Sequence, residues 1–130
     1  MNCARIAIIV TDSTSTTLLR RQLRWVRAEG FDVTVLSSPG AELDLCAEEE
    51  GLRAVAVPMV RPIRLWQDLR SLLALLGALR SLRPHVVNAG TPKAALLGML
   101  ASFVLRVPVR IYVVRGLRLE TVRGPLRWVL

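Results

Sequence analysis

The hydrophobic positions of this chain alternate between short apolar runs and longer segments whose apolar residues recur at helical spacing. Leu65 to Leu82 is the clearest helix, because its leucines fall at positions 65, 69, 72, 76 and 79 and Pro84 follows it. Shorter runs rich in valine and isoleucine separate the helical segments. The pattern predicts strands at 5–10, 31–36, 52–57, 86–89 and 109–114, and helices at 16–28, 41–50, 65–82 and 93–105.

Strands that alternate with helices at this spacing run parallel, because each crossover returns the chain to the same end of the sheet. The predicted fold class is therefore α/β, a Rossmann-like doubly wound parallel sheet of about five strands with helices on both faces. We expect one domain at residues 1–124, since a chain of 130 residues can bury a core of its own. Residues 125–130 begin like a further helix that stops after about one turn, and we expect this truncated helix to lead to a C-terminal domain missing from this chain.

The net charge of +8 is concentrated in the later part of the chain. Residues 1–50 carry five arginines and eight acids, whereas residues 51–130 carry twelve arginines and Lys93 against Asp68 and Glu120. This asymmetry indicates an acidic partner: nucleic acid, an anionic membrane or a phosphorylated substrate. A genomic preference for arginine explains the choice of cation, but it does not explain the scarcity of acids.

Several classes of site are not expected from the residue types present. With one histidine and two distant cysteines, the chain has no metal-ligand spacing, and we predict neither a metal nor a cofactor. Cys3 and Cys46 are interpreted as reduced thiols of a cytoplasmic protein, and no signal peptide or membrane-spanning run is visible. The loop at 10–17 lacks glycine, so it is neither a dinucleotide fingerprint nor a P-loop.

The turn from the fourth strand into the fourth helix is the strongest candidate site. Thr91 suits the N-cap, Pro92 suits the first helical position, and Lys93 falls in the first turn. A helix N-terminus with free amides and a lysine favours a phosphate-bearing ligand. The alternative is an ordinary capped helix with an exposed lysine.

Ligands of open α/β sheets bind beyond the carboxyl ends of the strands. Since the loops predicted at that edge are rich in cations, we expect it to be electropositive and to suit phosphate or pyrophosphate. In the first loop, Asp12 and the neighbouring hydroxyl groups either contact a substrate or cap local structure. The charged residues predicted at the edge are Arg61, Arg64, Lys93, Arg115, Arg118 and Arg123, against Asp12 and Glu120.

Each of the three tryptophans, Trp25, Trp66 and Trp128, lies close to an arginine. The first helix also carries a stripe of Arg20, Arg24 and Arg27. Basic residues beside an amphipathic aromatic suit an anionic membrane interface. The alternative is a solvated helix face whose tryptophan packs at the margin of the core.

The segment Thr91-Pro-Lys-Ala94 with Leu97-Gly98 resembles the N-terminal domain of glycosyltransferase family 4. Residues 108–121, Thr11-Asp-Ser13 and Leu36 to Gly40 agree with the same family. The resemblance covers essentially the whole chain and is closest to bacterial enzymes that build capsule, lipopolysaccharide or exopolysaccharide. It implies two facing Rossmann-like domains, of which the N-terminal one mainly binds the acceptor and the C-terminal one holds the nucleotide-sugar.

The resemblance further implies a retaining enzyme that moves a hexose from a nucleotide-sugar to a lipid-linked, phosphorylated or other saccharide acceptor at the inner face of the plasma membrane. This chain alone is then expected to be inactive, with no specific nucleic-acid partner. Many relatives have histidines where Asn88, Gly90 and Arg115 stand, so the catalytic residues are left unassigned. The substrate-binding residues expected are Thr11, Asp12, Ser13, Thr91, Lys93, Arg115, Arg118 and Glu120.

Two alternatives to the acceptor-binding half of an enzyme stay open from the sequence. One is a non-catalytic, membrane-associated module that recruits a separate catalytic glycosyltransferase subunit, or a decayed gene fragment. The other is an α/β domain that binds nucleic acid, which rests on charge alone and would give only non-specific, salt-sensitive binding.

Overall fold

The structure, a computed structural model, describes residues 4–13, 16, 19–59 and 64–113. Every predicted element is present and in the predicted order, and three of them have the predicted bounds. The strands are β1 Arg5–Ile9, β2 Asp32–Ser37, β3 Arg53–Ala56, β4 Val86–Ala89 and β5 Val109–Tyr112. The helices are α1 Arg20–Ala28, α2 Ala41–Glu50, α3 Leu65–Leu82 and α4 Pro92–Val104.

The five strands form one sheet in the order β3-β2-β1-β4-β5, and every neighbouring pair is parallel. The predicted doubly wound α/β fold is therefore confirmed. The strand order reverses between β1 and β4, which are neighbours in the sheet although five elements separate them in the chain. Because ligands of such sheets bind at this reversal, a ligand-binding site is expected at the loops after β1 and β4.

Alternating side chains of β1 and of Val10, which follows it, supply two cores, one on each face of the sheet. Ala7 and Ile9 belong to the core beneath α3 and α4, whereas Ile8 and Val10 belong to the core beneath α1 and α2. All four side chains are fully buried. The central strands are thus covered on both faces, as the unbroken apolar run in β1 predicts.

The first helix begins at Arg20, four residues later than predicted. The difference arises in the hydroxyl-rich loop that precedes it. Thr16 is buried, and its hydroxyl donates to the carbonyl oxygen of Ser13 at 2.6 Å. A side-chain hydroxyl that bonds to nearby backbone competes with regular helix formation, so the Thr16 contact favours a loop at this position. The N-cap of α1 is Leu19, whose side chain has no acceptor.

Two arginines of the basic stripe on α1 are bound to the end of α2. The Arg24 guanidinium donates to both carboxylate oxygens of buried Glu50, at 3.0 and 3.1 Å, and Arg27 donates to the backbone carbonyl of Glu50. The hydrogen bond from Arg24 to Glu50 raises the pKa of Arg24. These contacts join α1 to α2, which gives both arginines a partner inside the domain; the side chain of Arg20 lies outside the described part.

Candidate functional site

The loop after β1 and the start of α4 meet through two threonines that are 80 residues apart in the chain. The backbone N–H of Thr11 donates to Thr91 Oγ1 at 2.9 Å, and the two hydroxyl oxygens are 2.7 Å apart. Just before them, the Gly90 amide donates to the carbonyl of Ile9 at 3.1 Å. Two of the residues predicted to bind substrate are therefore adjacent at the carboxyl edge of the sheet.

Thr91 is the N-cap of α4 and Pro92 is its first helical residue, as predicted. In the described structure, however, the Thr91 side chain makes no capping hydrogen bond to its own helix. The amide of Ala94 donates instead to Thr11 Oγ1 at 3.2 Å. The acceptor that caps α4 thus comes from the loop after β1, which couples the helix start to the neighbouring strand.

Replacement of Thr11 by valine is expected to lower the free energy of unfolding by about 1–2 kcal/mol, the usual cost of losing an N-cap acceptor. Valine preserves the shape of threonine but leaves the buried Ala94 amide and the Thr91 hydroxyl without their oxygen partner. Urea denaturation measures the difference. Thr11→Ser keeps the hydroxyl and is the matched control, so equal losses in the two variants would contradict the capping role.

Lys93 lies in the first turn of α4 and forms an ion pair with Asp68 of α3, with 2.7 Å between Nζ and Oδ1. Only 9% of the Lys93 side chain and 19% of the Asp68 side chain are exposed. The other oxygen of Asp68 accepts a hydrogen bond at 3.2 Å from the amide of Arg64, which precedes α3. The carboxylate therefore joins the first turns of both helices, and it offsets the unfavourable position of a cation at a helix N-terminus.

The predicted alternative of an exposed lysine at this turn is wrong, because Lys93 is almost enclosed. The phosphate-binding interpretation stays a prediction. Asp68 is a partner that the sequence analysis missed. Its signal was available, since Asp68 is the single acid between Gly51 and Glu120 in a strongly basic stretch.

The loop after β1 is also bound to the loop after β2. Ser13 donates through its amide to Ser38 Oγ at 3.3 Å and through its hydroxyl to Glu42 at 3.1 Å, and the Ser38 amide donates to the Thr11 carbonyl at 3.1 Å. Thr11 and Ser13 are buried, while Asp12 between them is half-buried. Hydrogen bonds to the start of α4 and to the loop after β2 therefore hold the first loop on both sides. Asp12 within this loop and Thr91 beside it are more accessible than Thr11 and Ser13.

The structure brings together the described members of the predicted substrate-binding set: Thr11, Asp12, Ser13, Thr91 and Lys93 belong to the loop after β1 and the start of α4. Arg64 is exposed at the residue before α3. Arg115, Arg118 and Glu120 lie outside the described residues, as do Arg61 and Arg123. The described residues contain no group of three or more side chains suited to holding a metal ion. Within the same ranges, no helix has the length and apolar character needed to cross a bilayer.

Residues 14–130 match the family model of the glycosyl transferase 4-like domain. The chain belongs to this family. The family predicted from the turn motifs is therefore confirmed, and the match includes the fourth-strand turn and the basic segment that follows β5.

One relative of this glycosyl transferase 4-like domain is the capsular polysaccharide biosynthesis glycosyltransferase CapM of Staphylococcus aureus. It is 44% identical over all 130 residues of this chain. The chain spans 33% of the length of CapM. The similarity therefore concerns one part of that longer protein.

Solved structures show the same fold at low sequence identity. MurG of Acinetobacter baumannii has a TM-score of 0.69 and 16% identity, covering 91% of this chain and 38% of MurG. A putative UDP-N-acetylglucosamine 2-epimerase of Listeria monocytogenes also has a TM-score of 0.69, with 15% identity, covering 92% of this chain and 33% of the epimerase. Because proteins with different names share the fold, the fold by itself does not specify the reaction.

Proposed function

We propose that this chain is the acceptor-binding half of a retaining glycosyltransferase that moves a hexose from a nucleotide-sugar to a lipid-linked or saccharide acceptor in capsular polysaccharide synthesis. The observation that carries the proposal is the match of residues 14–130 to the glycosyl transferase 4-like domain. The similarity to CapM supports the capsular assignment.

The proposal divides the work between two Rossmann-like halves. Residues 1–124 form the acceptor-binding half, and 125–130 lead towards a second half that holds the nucleotide-sugar. Two observations support this division: the loop at 10–17 has no glycine with which to cradle a nucleotide phosphate, and the chain corresponds to one third of CapM. The chain alone is then catalytically silent.

The residues at the carboxyl edge suit an acceptor that carries both sugar hydroxyls and phosphate. The Asp12 carboxylate and the Thr91 hydroxyl are groups that bind sugar hydroxyls. Lys93, Arg115 and Arg118 supply cations for a phosphate or diphosphate, and charge-assisted hydrogen bonds of this kind are the strong ones. Glu120 completes the set as an acceptor for a sugar hydroxyl or for one of the arginines. The ion pair with Asp68 holds the ammonium group of Lys93 beside the start of α4.

We further propose that the protein works in the cytoplasm, in peripheral contact with the inner face of the plasma membrane. A lipid-linked acceptor would be presented there. The excess of cations after Gly51 supports contact with an anionic surface. Specific recognition of nucleic acid is not part of the proposal, because only the net charge favours it.

Binding of a short-chain prenyl diphosphate sugar to the 130-residue chain, measured by titration calorimetry, tests the acceptor role. We expect this probe to bind, a nucleotide-sugar not to bind, and no sugar transfer when both are present. Arg118→Glu is expected to weaken probe binding by about tenfold, since a hydrogen bond to a charged group contributes about 1.5–3 kcal/mol.

Arg53→Glu is the matched control for Arg118→Glu, because Arg53 is exposed and begins β3 at the opposite edge of the sheet. It should leave affinity unchanged. Sugar transfer by this chain alone would overturn the division between two halves. Equal affinity for the probe in Arg118→Glu, Lys93→Met and the unmodified chain would contradict the proposed anion site.

A further inference from the structure

The outward surfaces of α3 and α4 each carry a stripe of aliphatic side chains at four-residue intervals. Residues four apart lie one above the other on the same side of a helix. Helices on the surface of a domain normally present polar residues to solvent, so two apolar stripes facing outward are unusual. The stripes are Leu65, Leu69 and Leu73 on α3, and Leu96, Leu100 and Val104 on α4.

The two stripes belong to one surface because α3 and α4 lie side by side. The Lys93–Asp68 ion pair joins their first turns, and the inward residues Leu75 of α3 and Ala101 of α4 are buried in the same core. Trp66 and Phe103 extend the stripes on the two helices. We call this surface the α3/α4 face; its members are Leu65, Trp66, Leu69, Leu73, Leu96, Leu100, Phe103 and Val104. Each of them is between 46% and 82% exposed.

The surroundings of the α3/α4 face are positively charged. Residues 64–113 contain six arginines and one lysine but a single acid, Asp68, and that acid is paired with Lys93. Arg64 and Arg70 are exposed on or beside α3, and the guanidinium of Arg110 lies over the ring of Phe103, 5.2 Å from its centroid. An apolar surface bordered by cations has the chemistry of a contact with anionic lipid.

We propose that the α3/α4 face docks on the surface of an anionic lipid bilayer. The leucines and Trp66 enter the boundary between headgroups and acyl chains, and Arg64 and Arg70 contact the lipid phosphates. The inference deepens the proposed function, on which it rests, by naming the surface through which the enzyme contacts the membrane.

The orientation agrees with the position of the candidate site. Both helices begin at the carboxyl edge of the sheet, where Thr91 and Lys93 lie. A bilayer on the α3/α4 face therefore brings a lipid-linked substrate beside that edge. A second copy of the chain is a poorer occupant, because two faces bordered by arginines would meet with like charges opposed.

The basic stripe on α1, which the sequence also suggested as a membrane contact, is the weaker candidate. Arg24 and Arg27 already donate hydrogen bonds to Glu50 within the domain. Trp25 is exposed on α1, in the layer that packs on the other core. Trp25 therefore provides a matched control at a distance from the α3/α4 face.

Flotation of the 130-residue chain with phosphatidylcholine vesicles, with and without phosphatidylglycerol, tests the proposal. We expect binding to the vesicles that contain phosphatidylglycerol. The pair Leu69→Gln and Leu100→Gln is expected to weaken it by about tenfold, since both positions lose apolar burial. Arg64→Gln with Arg70→Gln should weaken it at low salt and less at high salt, where screening already removes the attraction. Trp25→Gln should bind like the unmodified chain.

Failure to bind phosphatidylglycerol vesicles, or binding unchanged by the paired glutamine substitutions at Leu69 and Leu100, would overturn the proposal. So would an equal loss in Trp25→Gln. A concentration-dependent dimer that those same leucine substitutions dissociate would identify a second copy as the occupant instead. The vesicle test contains no sugar acceptor, and the calorimetric test of acceptor binding uses a soluble probe. A failure of membrane docking by the α3/α4 face is therefore distinguishable from a failure of acceptor binding.

Discussion

Asp68→Leu is expected to lower the free energy of unfolding by about 3 kcal/mol, and Lys93→Met by a smaller amount, because replacing one partner of an enclosed ion pair takes its opposite charge away from the other partner. The asymmetry follows from the surroundings. Lys93 is the more enclosed partner, at 9% exposure against 19% for Asp68. The Asp68 carboxylate also keeps the hydrogen bond from the Arg64 amide when Lys93 is replaced.

The double variant Asp68→Leu with Lys93→Met is expected to recover most of the loss, since an apolar pair of similar volume often replaces an enclosed ion pair at little cost. Urea denaturation of the unmodified chain, both single variants and the double variant gives the coupling energy. Additive losses would show that the two side chains stabilise the fold independently.

The same double variant separates the structural role of Lys93 from its proposed role in binding. If the ammonium group contacts the acceptor phosphate, a stable double variant still loses affinity for the prenyl diphosphate sugar. If Lys93 serves only to join α3 to α4, the double variant binds the probe as the unmodified chain does. The position of the ion pair beside Thr91 is the reason to expect the first result.

The regular elements of this fold were predictable because their signals are local. The bounds of α3 follow from its leucine spacing and from Pro84. The end of α2 follows from Gly51, which adopts the left-handed conformation at φ 61° that favours glycine. The parallel sheet follows from the alternation of strands with helices, so the edge at which the candidate residues Thr11 and Thr91 lie was also predictable.

The contacts within the site were not predictable, because they depend on which strands become neighbours. Thr11 caps α4 only because β1 lies beside β4, which no local pattern near Thr11 indicates. The pairing of Lys93 with Asp68 likewise requires α3 and α4 to pack together. The exposure of Leu100 was not predictable either. The helix α4 is apolar on most sides, so only its packing in the fold shows which side faces solvent.

Gly40→Ala is expected to lower the free energy of unfolding by about 1–3 kcal/mol, because an added methyl group has no room against the first loop. A Cβ at Gly40 would collide with Ser13 Oγ, lie 2.8 Å from Ser13 Cβ and lie 3.2 Å from a carboxylate oxygen of Glu42. The backbone of Gly40 is extended at φ 175°, which any residue adopts, so the effect would come from the collision alone. Urea denaturation measures the loss.

Substitutions at Ser13 identify the cause of the Gly40→Ala effect. Ser13→Gly combined with Gly40→Ala removes both colliding atoms and should be more stable than Ser13→Ala combined with Gly40→Ala, which keeps the Cβ at its close approach. Gly77→Ala is the control, because a Cβ there meets nothing within 4 Å and should stabilise α3 by about 0.5–1 kcal/mol.

Because Ser13 holds the loop that carries Thr11 and Asp12, Gly40→Ala should also weaken binding of the prenyl diphosphate sugar. Unchanged binding in a destabilised Gly40→Ala chain would show that this loop does not shape the acceptor site.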